Sequence, residues 1–183
     1  VLFVVFLPFV ALAIRLNSGG PVFIRQKRVG KDGKTFTLIK FRSMYHDQII
    51  NPDADASIPT WSTGDRDKRI TAVGKFLRAS HIDELPQVIN IFRGEMSVVG
   101  PRPERPEFVA ELEKVIPYYK MRHLVKPGMT GWAQVKYHYG ASVEDALEKL
   151  QYELYYLKHR SLLIYVSVLG KTAQQIIMQA VRK

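Results

Sequence analysis

Two adjacent carboxylates, Asp83 and Glu84, stand in the stretch Ser80-His-Ile-Asp-Glu-Leu-Pro-Gln87, at the start of a predicted helix. Pro86 fits there because first-turn amides have no intrahelical acceptor. Two uses of the pair are open. First-turn acids satisfy free amides and oppose the helix dipole, for about 0.3–1 kcal/mol each. If both side chains turn one way, the pair instead attracts a divalent cation. A hard ion such as Mg2+ takes one or two carboxylates together with substrate phosphates. Basic residues flank the pair: Lys40 and Arg42 in Lys40-Phe-Arg-Ser-Met44, and Arg78 in the segment just before Asp83. Arginine forks match phosphate oxygens bidentately and lysine supplies a point charge. A solvated basic face is the competing reading. In Gly100-Pro101-Arg102-Pro103 two prolines bracket one arginine. Little entropy is lost when so restricted a segment is ordered, which suits a binding residue. A rigid connector with an incidental arginine has the same pattern.

Several chemistries are excluded. The chain has no cysteine, so disulfide scaffolds, thiolate zinc sites and cysteine nucleophiles are ruled out. Its histidines, His46, His81, His123, His138 and His159, show no metal-ligand spacing. Neither standard glycine-rich phosphate loop is present. The net charge of +10 suits nucleic acid, an anionic leaflet or a phosphorylated substrate, and does not choose among them.

The elements that must position these residues follow from pattern. At 183 residues the chain suits one domain with a real core. Val1 to Ile14 is almost entirely apolar and contains Pro8. A straight helix of that length is about 21 Å long, against ~30 Å for the hydrocarbon core. A bent anchor entering and leaving one leaflet and the end of a kinked spanning helix both fit; a signal-peptide core lacks its basic flank and cleavage site. Asn17 to Pro21 is a turn cluster. Strands are predicted over Val22–Val29 and Lys34–Phe41, joined by Gly30-Lys-Asp-Gly33 as a hairpin. Asp47 to Asp67 reads as a long surface loop. Helices are predicted over Thr71–Ala79 and within Ser80–Phe92, the latter with Leu85, Val88, Ile89 and Phe92 as its apolar face. Ser97–Pro106 reads as extended, Glu107–Val125 as a helix restarted at Pro117, and Lys126–Gly131 as a loop. Ser142 opens a helix with Asp145 as capping-box partner, burying Val143, Leu147, Leu150, Leu154 and Leu157. Leu162–Val181 is a final helix, packed on the domain or lying in a membrane interface.

Taken together the motifs resemble those of the bacterial sugar transferases, the monotopic polyprenyl-phosphate phosphoglycosyl transferases. The resemblance rests on the apolar segment with Pro8, Ser18-Gly-Gly-Pro21, Gln26-Lys-Arg-Val-Gly30, Lys40-Phe-Arg-Ser-Met44, and Arg78 before Asp83-Glu-Leu-Pro-Gln87. It continues through Gly94-Glu-Met-Ser-Val-Val-Gly-Pro-Arg-Pro103 and Lys126-Pro-Gly-Met-Thr-Gly-Trp-Ala-Gln134, and so covers nearly the whole chain.

The resemblance implies an α+β, mostly helical, membrane-associated domain with a small β-hairpin. Residues 1–16 would form a proline-broken, re-entrant membrane helix. Residues 17–183 would form a cytoplasmic catalytic domain with interfacial helices. It implies an enzyme of the bacterial inner membrane, acting at the cytoplasmic face in exopolysaccharide, O-antigen or related glycan synthesis. Its partners would be a UDP-sugar donor, a polyprenyl (undecaprenyl) phosphate acceptor and the membrane, with no nucleic acid; a homo-oligomer is allowed. Asp83 would attack the β-phosphate of the UDP-sugar, releasing UMP and leaving an aspartyl phospho-sugar for the lipid phosphate to take. Glu84, with Asp83, would hold Mg2+. Lys40, Arg42 and Arg78 would contact substrate phosphate, and Arg102, between Pro101 and Pro103, the nucleotide. Many members carry upstream helices, so the abrupt apolar start without methionine is expected of a C-terminal catalytic piece. Two other readings stand beside this one: a basic membrane-surface or nucleic-acid-binding module without catalysis, and a nucleotide-sugar hydrolase.

Overall fold

In the computed structural model, residues 2–46, 67–137, 140 and 142–181 are described. The expected loop between Asp47 and Asp67 lies, apart from Asp67, outside them. Among the described residues the fold is α+β, with many helices and two small two-stranded sheets. By internal contacts the chain forms two compact units, Val1–Ile24 with Ile39–Pro86, and Arg25–Leu38 with Gln87–Lys183.

The first unit begins with α1, Leu2–Asn17. Pro8 lies inside this helix, which continues to Asn17, so the expected break does not divide the segment into two helices. Proline removes one donor, but the bonds of the turns that follow are untouched. No helix among the described residues is long and apolar enough to cross a membrane. Ile14 of α1 is buried with Phe41 and Leu77, and Leu7, Val10, Val22, Val73 and Ile82 pack around them. Asn17 accepts at Oδ1 from the Val73 amide at 3.1 Å. That amide is in the first turn of α2, Ala72–Ala79, whose N-cap Thr71 accepts from Gly74 N–H at 2.9 Å. Asp67 and Arg69, both buried, close a two-pronged ion pair at 2.9 and 2.7 Å just before α2.

Strands β1 (Phe23–Val29) and β2 (Thr35–Phe41) form the predicted hairpin, one residue shorter at each start. Its turn is a single 3-10 turn, Lys31–Gly33, with Asp32 and Gly33 both in the left-handed region.

After α2 the chain does not form the single predicted helix. A 3-10 segment, Ile82–Gln87, carries Asp83, Glu84 and Pro86, and a short helix α3, Val88–Phe92, follows. The expected apolar face fails in its second half, where Ile89 is exposed and Phe92 is 87% exposed. Proline inside the segment favours the tighter, short-range turns.

The second unit holds a feature absent from the sequence reading. β3 (Ser97–Val99) pairs in parallel with β4 (Gly128–Thr130), with Ser97 opposite Gly128 and Val99 opposite Thr130. A parallel pair needs a crossover. Here it contains α4, Pro106–Val115, and a 3-10 turn, Tyr119–Leu124. Pro106 is the first residue of α4, and the restart comes at Tyr118, in the left-handed region, rather than at Pro117. Backbones approach so closely at the pair that a Cβ on Gly128 would meet the Gly100 nitrogen at 2.0 Å.

Beyond the short α5 (Trp132–Lys136), helix α6 (Val143–Lys158) opens with the predicted capping box. Ser142 Oγ accepts from Asp145 N–H at 3.1 Å, and Asp145 Oδ2 accepts from Ser142 N–H at 2.9 Å. The buried stripe of α6 is Leu150, Glu153 and Tyr156, while Val143 and Leu147 are exposed. α7 spans Leu162–Val181 as expected. Two apolar clusters result: Val29, Val109, Leu112, Ile116, Tyr119 and Leu150, and Val99, Tyr156 and Val168.

Removing the box acceptor, as in Ser142→Ala, is expected to cost about 1 kcal/mol in chemical denaturation. Gly128→Ala is expected to lower the melting temperature by several degrees, because backbone rather than a flexible side chain must yield. An unchanged melting temperature would contradict the close β3–β4 approach.

Candidate active site

The first unit brings four of the expected residues together. β2 presents Lys40 toward the 3-10 segment, where its Nζ donates to Glu84 Oε1 at 2.7 Å. Both side chains are largely buried, so water screens the pair poorly. Arg78 comes from the last turn of α2. His81, between the two, has φ of 55°. That left-handed residue ends α2 and starts the turn that carries the acids. A non-glycine residue held there stores strain, a feature that clusters at functional sites.

Asp83 is half-buried. Burial raises its carboxyl above the ordinary aspartate value; Lys40 opposes that, Glu84 adds to it, and Arg78 and His81 oppose it. The net direction is upward although cations surround the carboxylate. Desolvation outweighs their attraction. Such a carboxylate is held less comfortably than in water, and its charge is favoured by any added positive group.

Arg42 is placed differently from the expected phosphate contact. It is 1% exposed, and its guanidinium donates to the carbonyls of Gly19 and, at 2.6 Å, Ser18. Its backbone N–H donates to Val22 O at 2.9 Å. The fork thus closes the turn leaving α1. Lys40 and Arg42 are two apart in sequence, but β2 ends at Phe41, so only Lys40 lies on the strand. Beyond the strand the period of two no longer sets direction.

Arg102, Pro101 and Pro103 belong to the second unit. Arg102 is exposed and both prolines are buried. Residues the sequence reading did not single out stand behind them. Arg122 and Glu153, each with a side chain 5% exposed, form an ion pair at 2.8 Å. Burial alone would lower the Arg122 pKa, but Glu153 and its neighbours hold it above the usual value. Burial raises Glu153, and Arg122 pulls it back. Burial also pushes Tyr119 up to about 12. The signal available in the sequence was Glu153 itself, an acid within the apolar stripe of α6.

A cavity of about 250 Å³ in the same unit is lined by Lys31, Lys126, Arg160, Tyr156, Ser97 and Val99 among others, and by none of the expected catalytic residues. Among the described residues no three His, Asp or Glu side chains converge as a self-sufficient metal site.

Comparison with known proteins agrees with the motif order. The profile described as bacterial sugar transferase matches residues 1–179. A UDP-N-acetylgalactosamine-undecaprenyl-phosphate N-acetylgalactosaminephosphotransferase of Aeromonas hydrophila is 42% identical over 91% of this chain and 38% of its own length. A UDP-glucose:undecaprenyl-phosphate glucose-1-phosphate transferase of Xanthomonas campestris pv. campestris is 40% identical over 93% of this chain and 34% of its own. An exopolysaccharide production protein of Rhizobium leguminosarum bv. phaseoli is 39% identical over 91% of this chain and 83% of its own. The chain thus spans about a third of the length of the first two relatives.

Two outcomes follow from the geometry. With a raised Asp83 pKa, the folded protein binds more protons than the unfolded chain between the ordinary and raised values. Wild-type stability therefore falls as pH rises through that window. Asp83→Asn is expected to melt at or above the wild-type temperature at neutral pH, with that pH dependence removed; a loss of several degrees would contradict it. Arg42→Met is expected to cost about 1.5–3 kcal/mol in denaturant titration, because it removes the charged donor that holds the Ser18 and Gly19 carbonyls.

Proposed function

Because the chain belongs to the bacterial sugar transferase family, we propose that it moves a sugar 1-phosphate from a UDP-sugar to a polyprenyl phosphate, undecaprenyl phosphate being the acceptor in its relatives' names. The observation that carries the reading is Asp83, a half-buried carboxylate near Lys40 and Arg78.

In the first step an Asp83 carboxylate oxygen bonds to the β-phosphorus of the UDP-sugar. The bond from that phosphorus to the bridging oxygen breaks, and its electron pair leaves with UMP. In the second step an oxygen of the polyprenyl phosphate bonds to the same phosphorus, and the Asp83 oxygen departs as carboxylate. One difficult transfer becomes two easier ones. Desolvation leaves Asp83 poorly solvated as an anion, which favours its bonding to phosphorus. Lys40 and Arg78 offset the charge of the incoming diphosphate. Lys40 also holds Glu84 by their 2.7 Å pair, which fixes the segment on which Asp83 sits. Arg102 is assigned to the nucleotide.

The donor chemistry fits Mg2+: two adjacent hard carboxylates, one of them destabilised as an anion. Asp83 and Glu84 would hold it, with substrate phosphate oxygens completing the shell, and it would neutralise phosphate charge.

One substrate is a lipid, so the proposed setting is the inner-membrane surface, facing the cytosol. The apolar residues that α7 leaves exposed, Leu162, Leu163, Val166 and Leu169, support contact with a membrane.

The relatives' names carry two different sugars, so the donor is found by assay. Protein in nanodiscs is given a panel of UDP-sugars, Mg2+ and undecaprenyl phosphate, and UMP release is measured. Sustained release, beyond one equivalent per protein, that needs the lipid and falls by about a thousandfold or more in Asp83→Asn is expected. Full activity in Asp83→Asn would remove it as nucleophile. Sustained release over many turnovers without the lipid would make the protein a hydrolase.

A further inference from the structure

The Pro101-Arg102-Pro103 segment can be held almost only through its carbonyls, because Pro101 and Pro103 have no N–H. Four consecutive carbonyls are met by four donors from three parts of the second unit: the end of β1, β4 and the 3-10 turn after α4. Pro101 O accepts from Gly128 N–H at 2.9 Å, and Glu104 O from Val29 N–H at 2.9 Å. Pro103 O accepts from Arg28 Nη1 at 3.4 Å. Arg102 O, on the arginine itself, accepts from Arg122 Nη2 at 2.8 Å.

The Arg122 donor differs from the others. Its guanidinium is buried and also meets Glu153 Oε1 at 2.8 Å and the Tyr119 hydroxyl at 2.5 Å. One rigid fork therefore ties α6, the 3-10 turn after α4 and the Arg102 carbonyl together. A buried ion pair is weak evidence for stability, since apolar residues of similar volume often do as well. Its planar fork, however, specifies direction. From this geometry we infer that Arg122 and Glu153 are positioning residues for donor binding. They orient the Arg102 backbone, and so the arginine side chain, toward the nucleotide of the UDP-sugar. The inference rests on the assignment of Arg102 to the nucleotide.

The test measures specificity constants for both substrates in Arg102→Ala, Glu153→Gln, and the paired variant Arg122→Met with Glu153→Leu. The paired variant replaces both charges by apolar side chains and leaves no uncompensated ion. Circular dichroism and melting temperature establish that it folds. The specificity constant for the UDP-sugar is expected to fall about tenfold in the paired variant, since small misplacements of binding groups carry costs of that order. That for polyprenyl phosphate should stay within about twofold, a split that general loosening of the fold would not produce. Adding Arg102→Ala to the paired variant should bring no further loss beyond that of Arg102→Ala alone. If Arg102→Ala lowers donor use and the folded paired variant does not, the positioning inference is wrong and the nucleotide assignment stands. If Arg102→Ala leaves donor use unchanged, the assignment fails and the inference falls with it. Equal losses for both substrates would make the pair merely structural.

Discussion

A guanidinium taken out of water must meet oxygen atoms, and two buried arginines here meet the oxygens of the backbone. Arg42 closes on the Ser18 and Gly19 carbonyls where α1 ends. Arg122 closes on the Arg102 carbonyl in the second unit. In each case the segment held is rich in glycine or proline and has few side chains or amides of its own to anchor it. Arginine supplies the missing donors from elsewhere in the chain. Lysine, with a compact ammonium, would not span two carbonyls in one plane.

The same requirement governs the acidic pair. Glu84 is buried with Lys40, and Asp83, beside it, has no ion pair as close among the described residues. Two adjacent carboxylates thereby acquire different characters. One is bound into the framework, and the other is left with its charge poorly compensated. In the proposed function this asymmetry divides the labour: Glu84 secures the 3-10 segment, and Asp83 is the group that would gain from a phosphorus centre or a cation.

Strain and close approach sit beside these contacts. His81 takes a left-handed conformation immediately before the acids. Gly128 brings its backbone onto Gly100, next to the Pro-Arg-Pro segment. Both features place a short irregular segment more sharply than a regular helix or strand would, and both concern segments to which the function is assigned.

The motifs and their local chemistry were legible in the sequence. The hairpin, the Ser142–Asp145 box, α7 and the position of Asp83 and Glu84 in a first turn all depend on neighbours a few residues away. Turn chemistry, capping and periodicity act over that range. The family was legible too, because it is carried by short motifs in order. What the sequence left open was decided by partners far along the chain. Arg42 turned to carbonyls that precede it by more than twenty residues, and Arg122 to a carboxylate thirty-one residues beyond. The parallel β3–β4 pair joins segments separated by a whole crossover, so neither three-residue strand carries a pattern of its own. The buried side of α6 carries Glu153, which pairs with Arg122, between Leu150 and Tyr156, while Val143 and Leu147 at its start are exposed. Side-chain direction and burial are properties of the packed whole, and a period read along one element cannot contain them.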